Sequence, residues 1–313
     1  MLSILFITFY IKKDKIEIIS NFLRKHSKLF LINDYKDFEK VRDIKFDFVL
    51  TAYYWKINWA GHFEKKKYTK EIPSFIQYKH LIFQDSNPLS SYQVDVKGAP
   101  GFFIYRFSIG SLEIPMQINK IDEIVKQKRK IYKFKIKPYK KPSPDLAILI
   151  LLQNYFNHFL NMTIKEYQSY IQNIILEIRK YSKNKIIVRY KNIEKEDDHR
   201  KYQIKLKDPL DNMEITGKNS LDDDIAKSYV AIAHSTNAVF KVCLEGVHLI
   251  SMSPFCLCHE FADHDISFVN NPSEFDRELL YYKLLSCTWS YEDFKNGNFI
   301  KYISSHLDEE KIS

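Results

Sequence analysis

Glycine is scarce in this chain of 313 residues: seven in all, none set in G-x-x-x-x-G-K-[ST], G-x-G-x-x-G or G-x-S-x-G. The phosphate-cradling P-loop, the dinucleotide fingerprint and the hydrolase nucleophile elbow are thereby excluded as motifs. Cysteine is rarer still. Cys243, Cys256, Cys258 and Cys287 are too few for a disulfide framework at this length. Cys256-Leu257-Cys258-His259, with His264 nearby, lacks the two separated ligand pairs of a usual zinc site and reads as reduced thiols beside a strand end. No metal is expected. Long apolar runs are absent too: MLSILFITFYIKK at the N-terminus is too short to span a bilayer. It also lacks the basic start and small-residue cleavage site of a signal peptide, so it reads as a buried first strand in a cytoplasmic protein.

The length suits two domains of about 150 residues each. Hydrophobic residues make up 45% and charged residues 28%, as in ordinary globular proteins. Tyr (21) and Phe (23) are abundant, but their codons, like those of Lys, Ile and Asn, are AT-rich, so the aromatics carry little weight as base-stacking groups. The net charge of +9 favours anionic partners without choosing among nucleic acid, acidic glycan and membrane surface.

Residues 1 to about 137 alternate apolar runs with amphipathic ones. Ser3–Tyr10, Lys28–Ile32, Phe46–Thr51, Lys79–Phe83 and Phe102–Phe107 read as strands, and Lys15–Lys25 and Lys36–Val41 as helices. This is an α/β pattern with a mostly parallel sheet. Lys126–Lys141 carries nine cations, and Lys133, Lys135 and Lys137 alternate with Phe134 and Ile136, as on a strand with one basic face. That run is either a solvated face or a phosphate-tracking groove. Pro138, Pro142 and Pro144 then break regular structure, which divides the chain into domains at 1–140 and 141–313. In the second half Leu146–Leu152 and Lys185–Arg189 read as strands flanking an amphipathic helix from Thr163 to about Arg179. Residues 192–218 show no period. Asp276–Leu285 and Tyr291–His306 are predicted helical, with Trp289 a packing anchor.

The second half is organised around Ser220–Pro254. Ser220 and Asp222 open a short helix, whose dipole accounts for Asp222-Asp223-Asp224 without a metal. The strand Tyr229–Ala233 feeds the polar turn His234-Ser235-Thr236-Asn237, followed by a helix from Ala238 to Glu245, a stop at Gly246 and a strand Val247–Met252. Such a turn either cradles an anion with its hydroxyls and free amides or merely caps its helix.

Two Rossmann-like halves with a Pro-containing linker resemble the GT-B architecture of nucleotide-sugar glycosyltransferases: two domains, an interdomain cleft and a C-terminal helix. The order of several short motifs is similar to that of glycosyltransferase-like proteins of tailed bacteriophages. These are Leu151-Leu152-Gln153, Ile178-Arg179, the strand ending at Arg189, Ala233 through Gly246, Ala262-Asp263, Asn271-Pro272, Asp276-Arg277, Cys287-x-Trp289 and Asn296-Gly297. In the first half, Asp85-Ser86-Asn87 and Tyr105-Arg106-Phe107-Ser108 with Gly110 match as well. Coverage is about 80–110 and 146–303. One departure stands out: Tyr190-Lys191-Asn192 replaces the His-Pro pair that follows the Arg in that group.

The resemblance implies transfer of a sugar from a nucleotide-sugar, with UDP the expected nucleotide, as a co-substrate and with no tightly bound cofactor. Ser235, Thr236 and Asn237 would hold the donor phosphates, Arg189 would face the leaving phosphate, and Glu245 would hold the ribose. The alternatives are a surface ion pair for Arg189 and a solvent-facing Glu245. Asp85 is the expected base for the acceptor hydroxyl, ahead of Asp47, Asp95 and His62; an Asx-turn is its structural alternative. Arg106, Tyr105, Ser108, Lys133 and Lys135 would bind acceptor or phosphate. The phage resemblance and the basic run together suggest a 5-hydroxymethyl pyrimidine in DNA as acceptor, flipped from its duplex. A surface glycan is the alternative acceptor, and a non-catalytic nucleic-acid-binding protein on a degenerate GT-B fold is the alternative class.

Overall fold

The computed structural model describes residues 1–8, 13–52, 72–86, 105–109, 123–132, 135–153, 162–190, 211–217, 220–254 and 256–309. In chain order its first elements are β1 (Leu2–Ile7), α1 (Lys13–His26), β2 (Ser27–Ile32), β3 (Lys45–Ala52), β4 (Gln77–Ser86), β5 (Tyr105–Ile109) and α2 (Glu123–Ile131). Next come β6 (Ala147–Leu151), α3 (Ile164–Tyr181), β7 (Ile186–Arg189), β8 (Met213–Thr216), α4 (Leu221–Ala226) and β9 (Ser228–Ala233). The remainder is α5 (Val239–Leu244), β10 (His248–Ser251), α6 (Arg277–Ser286), β11 (Thr288–Trp289), α7 (Tyr291–Lys295) and α8 (Asn298–Glu309).

Contacts divide the chain into two units: Met1–Asn58, Lys67–Lys133 and Tyr281–Ser313 form one, Trp59–Lys66 and Phe134–Leu280 the other. The first holds a six-stranded sheet in the order β11-β5-β4-β3-β1-β2. Strands β1 to β4 are parallel, and β5 turns the edge antiparallel. Ile4, Leu5, Phe6 and Ile7 are consecutive and all buried, as required of a parallel strand covered on both faces. Asp47 on β3 buckles three neighbouring strands: it accepts from the Ser3 amide of β1 at 2.9 Å and from Lys79 Nζ of β4 at 2.8 Å.

The second unit holds an all-parallel sheet in the order β10-β9-β6-β7-β8. Helix α3 packs Tyr167, Ile171, Ile174, Ile175 and Ile178, a 3.6-residue stripe, against β6, β7 and β9. A capping box fixes its start, Thr163 accepting from the Glu166 amide and Glu166 from the Thr163 amide.

Both halves are thus α/β with parallel sheets. Four details differ from the sequence reading. Tyr35–Val41 is a 3₁₀ turn rather than an α-helix, opened by a capping box between Asp34 and Asp37. Residues 135–143 carry no regular structure, so the alternating basic strand expected at Lys133–Lys137 is not formed over its described part. The 141–313 stretch divides: Tyr281–Ser313 groups with the first sheet, because Thr288 and Trp289 pair with Arg106 and Tyr105 of β5. Tyr291–His306 is two helices, broken where Gly297 takes φ +73°.

Candidate functional site

In the second sheet the chain begins at the central β6, winds outward to β7 and β8, then returns to build β9 and β10 on the other side. The connections from β6 and β9 lead to opposite sides of the strand order, a topological switch point; in open α/β sheets ligands bind in the crevice at the carboxyl ends of such strands. Gln153 follows β6 there, and the turn His234–Asn237 follows β9.

Tyr167 of α3 fixes Gln153 from below. Its hydroxyl donates to the Gln153 carbonyl at 3.0 Å and accepts from the Gln153 amide at 2.9 Å. Tyr170, one helix turn away and nearly parallel to Tyr167, places its hydroxyl 3.2 Å from His234 Nδ1. Burial pushes the Tyr170 phenol up to about 12, and Tyr167 is raised by the same cause, so both remain neutral hydrogen-bonding groups. Two buried atoms at this junction, Gln153 Oε1 and Ser235 Oγ, have no hydrogen-bond partner among the described residues. Buried polar atoms are satisfied in the great majority of cases, so an unsatisfied pair at one crevice marks a place for a ligand or an ordered water.

The turn is not a simple helix cap. Helix α5 has only six residues, its cap residue is Ala238, and no side chain caps it. Thr236 Oγ1 accepts from the Ala238 amide at 3.3 Å, and the Asn237 carbonyl from the Phe240 amide at 3.4 Å. Ser235 is left out of both.

Arg189 ends β7, in register with Leu151 on one side and Thr216 on the other. Its Nη1 donates to Asp224 Oδ2 at 2.5 Å and to the Ser220 carbonyl at 3.3 Å, while Thr216 Oγ1 donates to the same carboxylate oxygen at 2.7 Å. Arg189 is 8% exposed and Asp224 1%. The last residue of the acidic run is therefore the buried counter-ion of the arginine, not a solvent-facing helix-start residue. Glu245 stands at the other end of α5, before β10 begins, and pairs with Lys137. The structure does not bring it to the turn Ser235–Asn237.

In the first unit, Asp85 lies in the last two residues of β4, not in a turn; it is opposite Arg106 of β5, with Ser86 opposite Tyr105 and Phe83 opposite Ser108. The side chains of Asp85, Tyr105, Arg106 and Ser108, and all of Lys133, lie outside the described residues. Lys135 is exposed. The rest of the basic run is dispersed. Lys128 is buried, donating to the Thr288 carbonyl at 2.5 Å and sitting 3.3 Å above the Trp289 ring. Lys140 donates to the Ile225, Ala226 and Ser228 carbonyls, and Lys137 meets Glu245.

Beyond β10, Ser251 Oγ donates to the Ser253 carbonyl and lies 2.9 Å from His259 Nδ1, and His259 stacks on His264 at 3.8 Å. Burial, then the His264 charge, lowers the pKa of His259. Burial pushes the Cys256 thiol up to about 11 and Cys258 well above its ordinary value. Among the described residues no group of three His, Cys, Asp or Glu side chains could hold a metal ion.

Gln153, Tyr167, Tyr170, His234 and Asp224 received no site role from the sequence. Gln153 carried a readable signal, the first polar residue after an all-apolar strand; the two tyrosines looked like ordinary members of an amphipathic helix.

No protein-family model matches the chain, and no curated protein matches it. Among solved structures it is similar to the β-Kdo 2,7 transferase of Thermosulfurimonas dismutans KpsC, with TM-score 0.50 and 13% identity over 93% of this chain and 96% of that one. The β-Kdo 2,4 transferase of the same KpsC follows, with TM-score 0.47 and 11% identity over 90% of each chain. At such identity the first likeness is one of fold, and it places this chain's α/β fold beside that of a glycosyltransferase.

Proposed function

We propose that this chain transfers a glycosyl group from a nucleotide-linked donor to a hydroxyl of a glycan-like acceptor. One observation carries the reading: among the described residues Gln153 Oε1 and Ser235 Oγ are buried without a hydrogen-bond partner, on the residues that follow β6 and β9 at the strand switch, in a chain similar in fold to a transferase over 93% of its length. The donor would lie on that crevice, with the amides of Ser235 and Thr236 donating to the departing phosphate as negative charge grows on it. Thr236 and Asn237 belong to the same turn. Asp85, at the carboxyl end of β4, remains our candidate for taking the acceptor proton. Arg189 acts by holding β7, β8 and α4 in place through Asp224, so any contact it makes with the donor comes from a guanidinium already neutralised.

A glycan acceptor is preferred to DNA. The DNA reading drew its physical support from a continuous basic face, and Lys128, Lys140 and Lys137 of that run are instead spent on carbonyls, an indole ring and a carboxylate. A Kdo transferase is among the solved neighbours, which favours an acidic sugar among the donors to be tried first.

A thermal-shift screen of CMP-, UDP-, GDP- and ADP-sugars tests the reading. A donor present at 100 times its Kd stabilises the fold by about 2.7 kcal/mol. A hit that Ser235→Ala weakens, followed by donor turnover on oligosaccharide acceptors, is the expected outcome. Silence with every donor, with or without acceptor glycans, would sink the proposal.

A further inference from the structure

Among the described residues, Leu152 and Gln153 after β6 and His234, Ser235, Thr236 and Asn237 after β9 include no Lys, Arg, Asp or Glu. Gln153 offers a carboxamide and Ser235 a hydroxyl, while Tyr167 spends its own hydroxyl on the Gln153 backbone. Among the described residues, the cation at the carboxyl end of β7, Arg189, is bound to Asp224. An anion lodged here would face the acceptor oxygen Gln153 Oε1 without a free counter-charge from that arginine, and burying an anion on such terms is costly.

Strand geometry brings the two unsatisfied groups to one place. Leu151 and Ala233 are register partners, and Gln153 and Ser235 each stand two residues beyond them. Adjacent strands lie about 4.8 Å apart, so the two residues follow neighbouring strand ends. The residues just before them face α3: Leu152 is in its core, and His234 meets Tyr170. Side-chain alternation then sends Gln153 and Ser235 together to the other face. Tyr167 holds the Gln153 backbone by both its amide and its carbonyl, which pre-positions the carboxamide before any ligand arrives.

We infer that this junction is a hydroxyl-recognition subsite, in which Gln153 and Ser235 bind neighbouring hydroxyls of a sugar ring. A carboxamide and a hydroxyl are each donor and acceptor, and so is each hydroxyl of a vicinal diol, so the match is complete without charge. The inference rests on the proposed donor binding and sharpens it: the crevice reads a sugar ring, and the phosphate lies elsewhere along the turn. Two sources of that ring are chemically equivalent here, the ribose of the nucleotide and the sugar being transferred.

Calorimetric titration separates them. The nucleotide sugar found to bind is compared with its 2′-deoxy- and 3′-deoxyribose forms, then with forms lacking single hydroxyls on the transferred sugar. Loss of the bound hydroxyl leaves buried polar groups unpaired and should weaken binding by about tenfold or more. Whichever arm shows the loss names the source. In Gln153→Leu and Ser235→Ala, checked for folding by circular dichroism and melting temperature, the parent and deoxy ligands should bind within about threefold of each other. Equal affinity of all deoxy forms for the wild type would overturn the subsite and assign the junction to a water, while leaving donor binding intact. Competition by inorganic phosphate that Gln153→Leu strengthens would overturn it in favour of an anion site. If no nucleotide or nucleotide sugar binds at all, donor binding and the subsite fall together.

Discussion

Asp224 is an acid with almost no solvent, answered by one guanidinium and one hydroxyl, and the contribution of Arg189 to this fold is best seen from its side. Removing one partner of such a pair leaves an uncompensated buried charge and costs about 3–5 kcal/mol. Arg189→Ala should therefore lower the urea midpoint sharply, and Arg189→Met combined with Asp224→Asn should recover most of the loss. Recovery of stability with donor affinity still normal would mean that the arginine is purely structural; recovery without binding would give it a ligand role as well. Asp47 gives a prediction of the opposite kind, in pH. Burial alone would raise its carboxyl, but the Lys79 ammonium and then the Ser3 amide outweigh this and hold it below its ordinary 3.8. A depressed folded value means stability fully present above the unfolded value and lost as pH falls through the folded one. Asp47→Asn should be less stable than the wild type at neutral pH, and the difference should close as pH falls below 3.8 in acid titrations of the melting temperature.

At the scale of elements, the segment 135–141 is a strap laid over the end of α5. The Lys137 amide donates to the Leu244 carbonyl and the Lys140 amide to the Gly246 carbonyl, both at 2.8 Å. Gly246 makes this approach possible. It has φ +75°, and a Cβ there would sit 1.9 Å from the Pro138 carbonyl oxygen. The left-handed backbone alone costs an ordinary residue about 1–2 kcal/mol, and the collision adds to it. Gly246→Ala should drop the melting temperature by several degrees, whereas Gly217→Ala, with only an ordinary contact to Tyr190, should be nearly silent. The sequence showed Gly246 as a helix stop and missed the strap, because what passes over a helix end is not written in that helix. The basic run failed for a related reason. Alternating Lys and apolar residues satisfy a strand template, but Pro138 and Pro142 interrupt the run, and Lys140 finds carbonyls between the end of α4 and the start of β9.

Across the whole molecule, strands with strong local patterns were legible: β1, β3, β6, β7, β9 and β10 all fall where apolar runs place them. So were α3 and the strand–turn–helix after β9, hence the location of the crevice. What escaped was long-range. Strand β8 hides in a polar stretch because an edge strand needs only one covered face, and the β11–β5 pairing joins residues far apart in sequence that no local period connects. The turn after β9 was legible as a strand-end turn, but the buried pair of Arg189 with Asp224 was not, since it joins two elements that no local pattern connects.

The first unit includes both the earliest residues of the chain and Tyr281–Ser313, whereas the second is drawn chiefly from between them. During synthesis, therefore, the unit begun first is finished later. The five-stranded sheet of the second unit has all its strands once Ser251 has emerged, while β5 waits for β11 with its outer edge unpaired, the kind of edge that recruits other chains. Ribosome-bound chains halted after residue 280 should then carry a protease-resistant Phe134–Leu280 region beside a still-sensitive first unit. Protection of both regions at that length would show that β11 and the helices after it are ornaments rather than the closing step of assembly.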